Sequence, residues 1–173
     1  YAKIKSIDTS KVEALPGVLA VATGADSPHR FGVLPVTKDE HAMAVEKVRH
    51  VGDLVACVAA IDEATAMEAL NLFEIEWEVL EPIFDPKKGL EDTDEPIHWR
   101  GKYHLSKTNV QKRVFQEFGD RSLVEKPHAE SHGKWTMAGV HHGFTEPHAV
   151  VAHWDPNGRL QLYTPQQVPH YTH

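Results

Sequence analysis

The sequence lacks the features that define three large classes of protein. Its 173 residues include a single cysteine, Cys57, so the chain can form no internal disulfide and cannot supply the roughly four thiolates of an iron–sulfur cluster. No apolar run approaches the roughly 20 residues of a membrane-spanning helix, and residues 1–4 do not resemble a signal peptide. The net charge of −7 is not accompanied by a basic stripe, which argues against a nucleic-acid surface. We expect a cytoplasmic globular protein.

The composition is that of an ordinary folded chain. Hydrophobic residues make up 41% and charged residues 25%, as in soluble globular domains. The length fits one fair-sized domain, or a small domain with part of another. Because Tyr1 already lies in a strand pattern and the chain stops abruptly at His173, we expect a fragment of a longer polypeptide.

Residues 48–81 carry the clearest periodicity in the chain. Gly52 and Asp53 predict a tight turn with an Asx cap; a phosphate-binding loop is less favoured because one glycine does not make such a loop. Residues 54–61 are apolar at successive positions, which predicts a strand that is buried on both faces. Within that strand Cys57 is interpreted as a small core residue.

A helix and a second strand are predicted directly after this strand. Asp62 is a typical N-cap, and residues 63–73 place apolar side chains at helical spacing. Residues 73–79 then alternate apolar and acidic side chains, as in a strand with one solvated face. The succession of strand, helix and strand predicts a βαβ unit with a right-handed crossover.

The stretch that precedes this unit is predicted to be a mixture of short strands and one helix. Residues 2–8 indicate an edge strand, residues 11–15 a short capped helix, and residues 18–23 a second apolar strand. Residues 46–51 favour a short strand that leads into the central unit.

The composition changes after residue 81. Residues 83–131 are rich in proline and acidic side chains at their start and lack apolar periodicity, so we expect a connector that contains a domain boundary. Within it, residues 109–120 fit a strand with a turn or a one-sided helix equally well. Beyond it, residues 133–142 and 144–154 predict strands, and the sequence Asp-Pro-Asn-Gly at 155–158 predicts a turn before a third strand at 159–164.

Two strings in the first half of the chain share a pattern with one protein family. Residues 4–26 have the pattern I-x-S-I-D-T-S-K-V-E-A-L-P-G-V-L-A-V-A-T-G-A-D, and residues 48–60 have V-x-H-V-G-D-x-V-A-x-V-A-A. Both resemble the hammerhead-shaped α/β domain that opens the molybdenum-cofactor subunit of the xanthine oxidase family. The first strand pair of that domain is lacking here, so the resemblance implies an N-terminally incomplete hammerhead domain at residues 1–82.

Residues 144–170 carry the most specific pattern, F-x-E-P-H-A-V-V-A-x-W-D-P-N-G-R-L-x-L-Y-T-P-Q-Q-V-P-H. This pattern is similar to the opening β-meander of the molybdopterin-binding domain that follows the hammerhead in the same family. The resemblance implies an α+β chain made of a hammerhead-type α/β domain with a βαβ core, a proline-rich connector at 83–131, and an antiparallel β-meander at 132–173 that begins the cofactor domain.

The resemblance also implies a function for the whole enzyme. It would use a molybdenum-pterin cofactor, bound mainly by parts outside this chain, to add or remove oxygen at a carbon atom. Electrons would pass through iron–sulfur clusters and FAD on an iron–sulfur subunit and an FAD subunit. The local sequence is most similar to bacterial members that act on aromatic compounds, first the 4-hydroxybenzoyl-CoA reductase type and then carbon monoxide or aldehyde dehydrogenases. The fragment alone is expected to be inactive.

Gln167 is the candidate cofactor-binding residue. Its carboxamide follows a predicted strand between Pro165 and Pro169, and an amide can both donate and accept hydrogen bonds. The residues alone favour a loop-stabilising glutamine, whereas the family resemblance places the equivalent glutamine beside the molybdopterin. Purine-oxidising members also carry a glutamine six residues before the E-P-H glutamate, and Val140 occupies that position here. The resemblance therefore favours an aromatic acyl or aldehyde substrate over a purine.

Other polar and aromatic residues are given structural interpretations. Glu146 is interpreted as a buried carboxylate that fixes a bend, in preference to a general base. The tryptophans are dispersed and are assigned to core or interface packing. Four histidines in the second half suggest metal ligands, but a strand directs neighbouring residues to opposite faces, so structural roles are favoured. The histidines are His141, His142, His148 and His153.

Two rival functions follow from the same sequence. The first is a stand-alone interaction module that binds a partner through the acidic strand face of Glu74, Glu76 and Glu78. The second is a small histidine-rich metal carrier. We expect no catalytic residue and no metal ligand within the chain itself.

Overall fold

The computed structural model describes residues 1–32, 38–98, 107–125, 127–166 and 168. The described part has an α+β architecture and falls into two units, Tyr1–Val114 and Phe115–His173. Its strands are β1 (Ala2–Asp8), β2 (Val18–Thr23), β3 (Arg30–Phe31), β4 (Glu40–His41), β5 (Lys47–Val48), β6 (Ala56–Ala60), β7 (Glu74–Val79), β8 (Val151–Trp154) and β9 (Leu160–Tyr163). Its α-helices are α1 (Ser10–Glu13), α2 (Glu63–Leu70) and α3 (Ser122–Glu125).

The main sheet of the first unit has the strand order β5-β1-β7, with antiparallel pairing on both sides of β1. The prediction of a strand at residues 2–8 is confirmed, but the prediction that it lies at an edge is wrong. β1 is central because β5 and β7, which lie far away in sequence, supply hydrogen-bonding partners on both of its sides. Non-local pairing of this kind leaves no signature in the periodicity of β1 itself.

Opposite charges complement each other across β1 and β7. Lys3 lies opposite Glu78 in the register, and their side chains are 3.6 Å apart. Lys5, at a register shift in β1, is 3.8 Å from Glu76. The acidic alternation of β7 is thus matched by lysines on its neighbour, and such cross-strand pairs favour this register over a slipped one.

The second sheet contains β2 and β6, and both α1 and α2 pack against it. Asp62 caps α2 as predicted, because its carboxylate accepts a 2.8 Å hydrogen bond from the Thr65 amide. The order of strand, helix and strand in β6, α2 and β7 is confirmed. However, β6 and β7 belong to different sheets, so the two strands do not form the parallel crossover that we expected.

β6 is covered on one face only. Val58 is partly buried, whereas Cys57 and Ala59 are exposed, because none of the described elements covers their side of the sheet. The predictions of a strand buried on both faces and of Cys57 as a core residue are therefore wrong. An apolar sequence shows that a strand can be buried, but other parts of the protein decide whether it is covered.

The early part of the predicted connector contacts β5 of the first unit, where Lys47 Nζ binds the Glu95 carboxylate and the Pro96 carbonyl, and its own segments are hydrogen-bonded to one another. The Asn109 amide donates to the Gly89 carbonyl at 2.9 Å, and the Ile97 amide donates to the Asn109 side-chain oxygen at the same distance. The Thr93 amide donates to the Lys107 carbonyl at 2.7 Å. These bonds give residues 89–97 and 107–109 fixed tertiary contacts rather than the character of a free tether.

The second unit contains the β8–β9 hairpin and the short helix α3. The predicted strands at residues 144–154 and 159–164 are present as the shorter β8 and β9. The strand predicted at residues 133–142 is wrong, because no described strand lies beside it to pair with its backbone groups. The described residues of 109–120 form neither the strand nor the helix that the sequence allowed.

We predict that Val12 is the apolar side chain on which the first unit most depends. Val12 is 0% exposed on α1, and α1 packs against β2. Val12→Ala should lower the free energy of unfolding by about 2 kcal/mol, because it removes buried methyl groups and leaves a cavity. Urea unfolding measures this value.

Leu19→Ala is the matched control, since Leu19 is 69% exposed on β2. It should change the free energy of unfolding by less than about 0.5 kcal/mol. Equal losses in the two variants would contradict the assignment of Val12 to the core.

Candidate functional site

The β8–β9 hairpin positions the residues that the sequence analysis singled out. Its register pairs Val151 with Tyr163 and Trp154 with Leu160. At the closed end, the Asp155 carboxylate accepts hydrogen bonds of 2.9 Å from the amides of Asn157 and Arg159. Gly158 has a φ of +77°, which a glycine adopts at little cost. The predicted turn is confirmed, and side chain to backbone hydrogen bonds stabilise it.

The open end of the same hairpin brings two motifs together. The segment that enters β8 contains Glu146 and His148, and the segment that leaves β9 contains Thr164 and Gln166. Because β8 and β9 are antiparallel with Val151 opposite Tyr163, both segments lie at the same end of the ribbon. Gln167, the predicted cofactor-binding residue, lies outside the described residues, and its role remains a prediction.

The segment before β8 is exposed to solvent. Glu146 is exposed, so its interpretation as a buried carboxylate is wrong; no described strand covers residues 127–150. Phe144 contacts two imidazoles, with ring centroids 5.5 Å from His141 and 5.8 Å from His148. His141 Nδ1 also accepts a 2.9 Å hydrogen bond from the Gly143 amide. Two of the four histidines thus contact the phenyl ring instead of converging on an ion.

The described residues at the open end fit an organic cofactor better than a bare metal ion. The exposed His148 and Gln166 offer an imidazole and a carboxamide, groups that form hydrogen bonds with a polar ring or a phosphate. In the described ranges no group of three or more His, Cys, Asp or Glu side chains could hold a metal ion. A pterin that carries its own metal would need hydrogen-bonding groups of this kind from this segment.

The tryptophans do not form a core in the described part of the chain. Trp135 is 84% exposed, and Trp154 is also exposed. Trp77 on β7 is partly exposed, and Trp99 lies outside the described residues. The assignment to core packing is therefore wrong for Trp135 and Trp154, and the alternative assignment to an interface stays a prediction.

A second polar cluster lies in the first unit, and sequence reasoning missed it. Asp39 is only 3% exposed, and its Oδ2 lies 3.0 Å from His98 Nδ1 and 3.9 Å from Arg49 Nη2. The cluster lines a cleft of about 600 Å³ together with His41 and the apolar side chain of Leu54. No sequence signal links these residues, because Asp39 and His98 are 59 positions apart and belong to segments without periodicity.

His41 has an unusual hydrogen-bonding state in this cleft. Arg30 Nε donates to His41 Nε2 at 3.4 Å, so a neutral His41 carries its proton on Nδ1. His41 Nδ1 is buried and has no partner among the described residues. A buried donor of this kind needs a water molecule or another acceptor.

Glu95 is held between two lysines and lines a smaller cavity of about 170 Å³ that shares Asp39, His41 and His98 with this cleft. Its carboxylate oxygens lie 2.8 Å from Lys3 Nζ and 3.0 Å from Lys47 Nζ. Hydrogen bonds from Lys3 and Lys47 hold the pKa of the Glu95 carboxyl below its ordinary value. The stabilisation is present in full above the ordinary pKa of 4.5 and is lost as the pH falls through the lower folded value.

The acidic face of β7 is not a free binding surface. Glu78 and Glu76 pair with Lys3 and Lys5, as described above, and Glu74 pairs with Lys11. Each carboxylate that was considered for partner binding is therefore already neutralised within the first unit. This arrangement weakens the hypothesis of an acidic interaction module.

No helix in the described residues has the length and apolar composition needed to cross a membrane.

Comparison with known protein families gives two matches, in sequence order. Residues 1–81 match the family described as aldehyde oxidase and xanthine dehydrogenase, a/b hammerhead domain. Residues 104–173 match the family described as molybdopterin cofactor-binding domain. The second match includes the hairpin and both motifs at its open end.

Individual relatives agree with these matches. The large molybdopterin subunit of nicotinate dehydrogenase from Eubacterium barkeri is 34% identical over 99% of this chain and 39% of its own length. Among solved structures, a Cu,Mo-CO dehydrogenase in its carbon monoxide reduced state is 32% identical with a TM-score of 0.75, covering 99% of this chain and 23% of that one. Quinoline 2-oxidoreductase from Pseudomonas putida 86 is 27% identical with a TM-score of 0.73, covering 98% of this chain and 22% of that one. The chain thus spans well under half the length of these relatives.

We predict that the hairpin turn depends on the backbone conformation of Gly158. An added Cβ would meet no atom within 4 Å, so the cost of Gly158→Ala comes from its positive φ alone. This variant should destabilise the hairpin by about 1 kcal/mol. Hydrogen exchange of the Asp155 amide, which donates to the Arg159 carbonyl, reports the change.

Gly139→Ala is the control, since Gly139 also has open space around it but does not have a positive φ. It should leave exchange of the Asp155 amide unchanged. An equal effect of the two substitutions would show that φ does not matter at Gly158.

Proposed function

Because the chain belongs to the xanthine dehydrogenase and aldehyde oxidase family of molybdenum-cofactor subunits, we propose that it is part of an oxidoreductase that adds or removes oxygen at a carbon atom. In this proposal residues 1–81 supply the hammerhead domain, and residues 104–173 supply the beginning of the molybdopterin-binding domain. The observation that carries the proposal is that the E-P-H segment and the segment from Thr164 to Gln166 lie at one end of a single hairpin, inside the second match.

The cofactor supplies the redox centre when it is bound, and this chain supplies hydrogen-bonding groups around it. Gln167 is proposed to contact the pterin or its phosphate; in the sequence it directly follows Gln166. An amide is suited to this role because it can donate to a phosphate or ring carbonyl and accept from a ring N–H. The exposure of the neighbouring His148 and Gln166 leaves this end of the ribbon accessible to a ligand.

Partner subunits are proposed to carry the electrons away from the reaction centre. This chain has only one cysteine, so an iron–sulfur cluster with roughly four cysteine ligands requires other chains or other domains. We assign this role to an iron–sulfur subunit and an FAD subunit. The exposed Cys57 on β6 does not take part.

The proposed substrate is an aromatic acyl compound, an aldehyde or a heterocycle. Val140 occupies the position where purine-oxidising members carry a glutamine, and its aliphatic side chain cannot form a hydrogen bond. A protein side chain that hydrogen-bonds a polar substrate ring contributes strongly to specificity for that ring. Val140 cannot make this contribution, so specificity for a purine is not expected here. Two of the relatives named above are a nicotinate dehydrogenase and a quinoline 2-oxidoreductase. Their names favour a heterocycle as the alternative to an aromatic acyl compound or an aldehyde.

We predict that the holoenzyme containing this chain binds molybdenum at about one atom per copy of the subunit. It should reduce an artificial electron acceptor faster with an aromatic aldehyde or acyl thioester than with hypoxanthine. Inductively coupled plasma mass spectrometry measures the metal, and dye reduction measures turnover. The isolated 173-residue chain is the control and should show neither.

Two outcomes would contradict this prediction. If the holoenzyme contained no molybdenum, the proposed function would be wrong. If the holoenzyme contained molybdenum but preferred hypoxanthine, the proposed reaction class would stand and the proposed substrate would be wrong.

We further predict that Gln167→Ala lowers the molybdenum content of the holoenzyme about fivefold, because the cofactor loses a hydrogen-bonding partner. Gln116→Ala is the matched control, since it removes the same group from an exposed position outside the hairpin. It should leave the molybdenum content within about twofold of the unmodified holoenzyme. Unchanged molybdenum content in Gln167→Ala would contradict the role of Gln167 without affecting the family assignment.

A further inference from the structure

Residues 93–98, which we call the strap, form a wall of the cleft in the first unit. Ile97 and His98 line the cleft beside Asp39, and Pro96 lines a smaller adjoining cavity of about 170 Å³. The His98 side chain covers the buried Asp39 carboxylate at 3.0 Å. Nothing in the sequence distinguishes the strap from the rest of the acidic connector.

The strap lies over a pair of like charges. Lys3 on β1 and Lys47 on β5 are directly opposite each other in the register of the main sheet. Like charges at directly opposed positions destabilise a strand pair unless an anion neutralises them. The Glu95 carboxylate of the strap binds one lysine with each of its oxygens, at 2.8 Å and 3.0 Å.

Lys47 also binds the strap backbone. Its Nζ donates to the Pro96 carbonyl at 2.5 Å and to the Tyr1 hydroxyl at 3.3 Å, and it lies 5.4 Å from the centre of the Tyr1 ring. The Lys47 side chain is only 14% exposed, so solvent and salt screen these interactions less than those of a surface pair. Arg49 Nε adds a 2.9 Å bond to the Ile97 carbonyl.

We propose that the strap and the adjoining edge of β1 and β5 open without unfolding of the sheet formed by β2 and β6, and that the clamp of Lys3 and Lys47 on Glu95 holds the strap shut. Opening uncovers the lysine pair and the Asp39 carboxylate together. The sheet of β2 and β6 stays folded, because neither these strands nor α2 contributes a residue to the clamp. Glu95 is the carboxylate that bridges the two lysines, while Glu78 of β7 also pairs with Lys3.

Glu95→Gln in the full 173-residue chain tests this proposal. The variant keeps the size of the side chain and removes the charge that neutralises Lys3 and Lys47. Hydrogen exchange at the Ile97 amide, which donates to Asn109, reports strap opening, and the Ile4 amide, which donates to the Glu46 carbonyl, reports the neighbouring strand. Both rates should rise about fivefold, the effect of losing one or two ion pairs.

Three comparisons separate strap opening from general unfolding. The Ile61 amide, which donates to the Gly17 carbonyl in the other sheet, should keep its exchange rate in Glu95→Gln. Glu91→Gln, which removes an exposed carboxylate just before the strap, should leave the Ile97 rate unchanged. In a Lys47→Met background, where the like-charge pair is absent, adding Glu95→Gln should raise the Ile97 rate less than about twofold.

The proposal is overturned if Glu95→Gln leaves the Ile97 rate unchanged, since the clamp would then not hold the strap. It is also overturned if the rates at Ile97 and Ile61 rise by the same factor, since the strap would then open only when the whole unit unfolds. A full fivefold effect in the Lys47→Met background would show that the lysine pair is not the partner of Glu95.

Discussion

Hydrogen bonding on both sides of β1 is the constraint on which the first unit depends. β5 pairs with one edge of this strand and β7 with the other, so segments from three distant parts of the chain meet in one sheet. This strand order has an electrostatic consequence, because it places Lys3 directly opposite Lys47. Glu95 binds both lysines and offsets their repulsion, and Glu78 of β7 also pairs with Lys3. The strand order thus fixes the position of the connector after β7, because Glu95 of the connector binds lysines on β1 and β5.

The motifs that resemble cofactor-binding segments lie outside the first unit. The motifs that resemble cofactor-binding segments lie on the β8–β9 hairpin, whose open end is exposed. The first unit, by contrast, pairs its most acidic strand with lysines from β1 and from α1. It offers no unneutralised acidic face on β7, so the idea of an acidic interaction module has little physical support. Its described part is best understood as a scaffold with one polar cleft around Asp39.

The expectations that succeeded rest on interactions between residues close in sequence. Asp62 caps α2 through the amide of Thr65, three positions later, and Asp155 organises its turn through amides two and four positions later. The predicted turn at Gly52 is present with a positive φ, although Asp53 accepts a 2.5 Å hydrogen bond from the Arg49 amide, four positions earlier, and does not form the Asx cap that we expected. Side-chain chemistry within four residues is sufficient to produce each of these features. The patterns that indicated the family also consist of short segments, and they include the turns at Gly52 and Asp155.

The amino-acid sequence by itself determined the caps, the turns, most of the strands and helices, and the order of the two family domains. Only the tertiary structure decided that β1 is central, that β6 and β7 lie in different sheets, that Cys57 is exposed, and that His98 meets Asp39. The physical reason is the range of the interactions. Caps and turns are formed by neighbours in the chain, whereas strand order, burial and ion pairing depend on which distant segments come together, and periodicity carries no information about that choice.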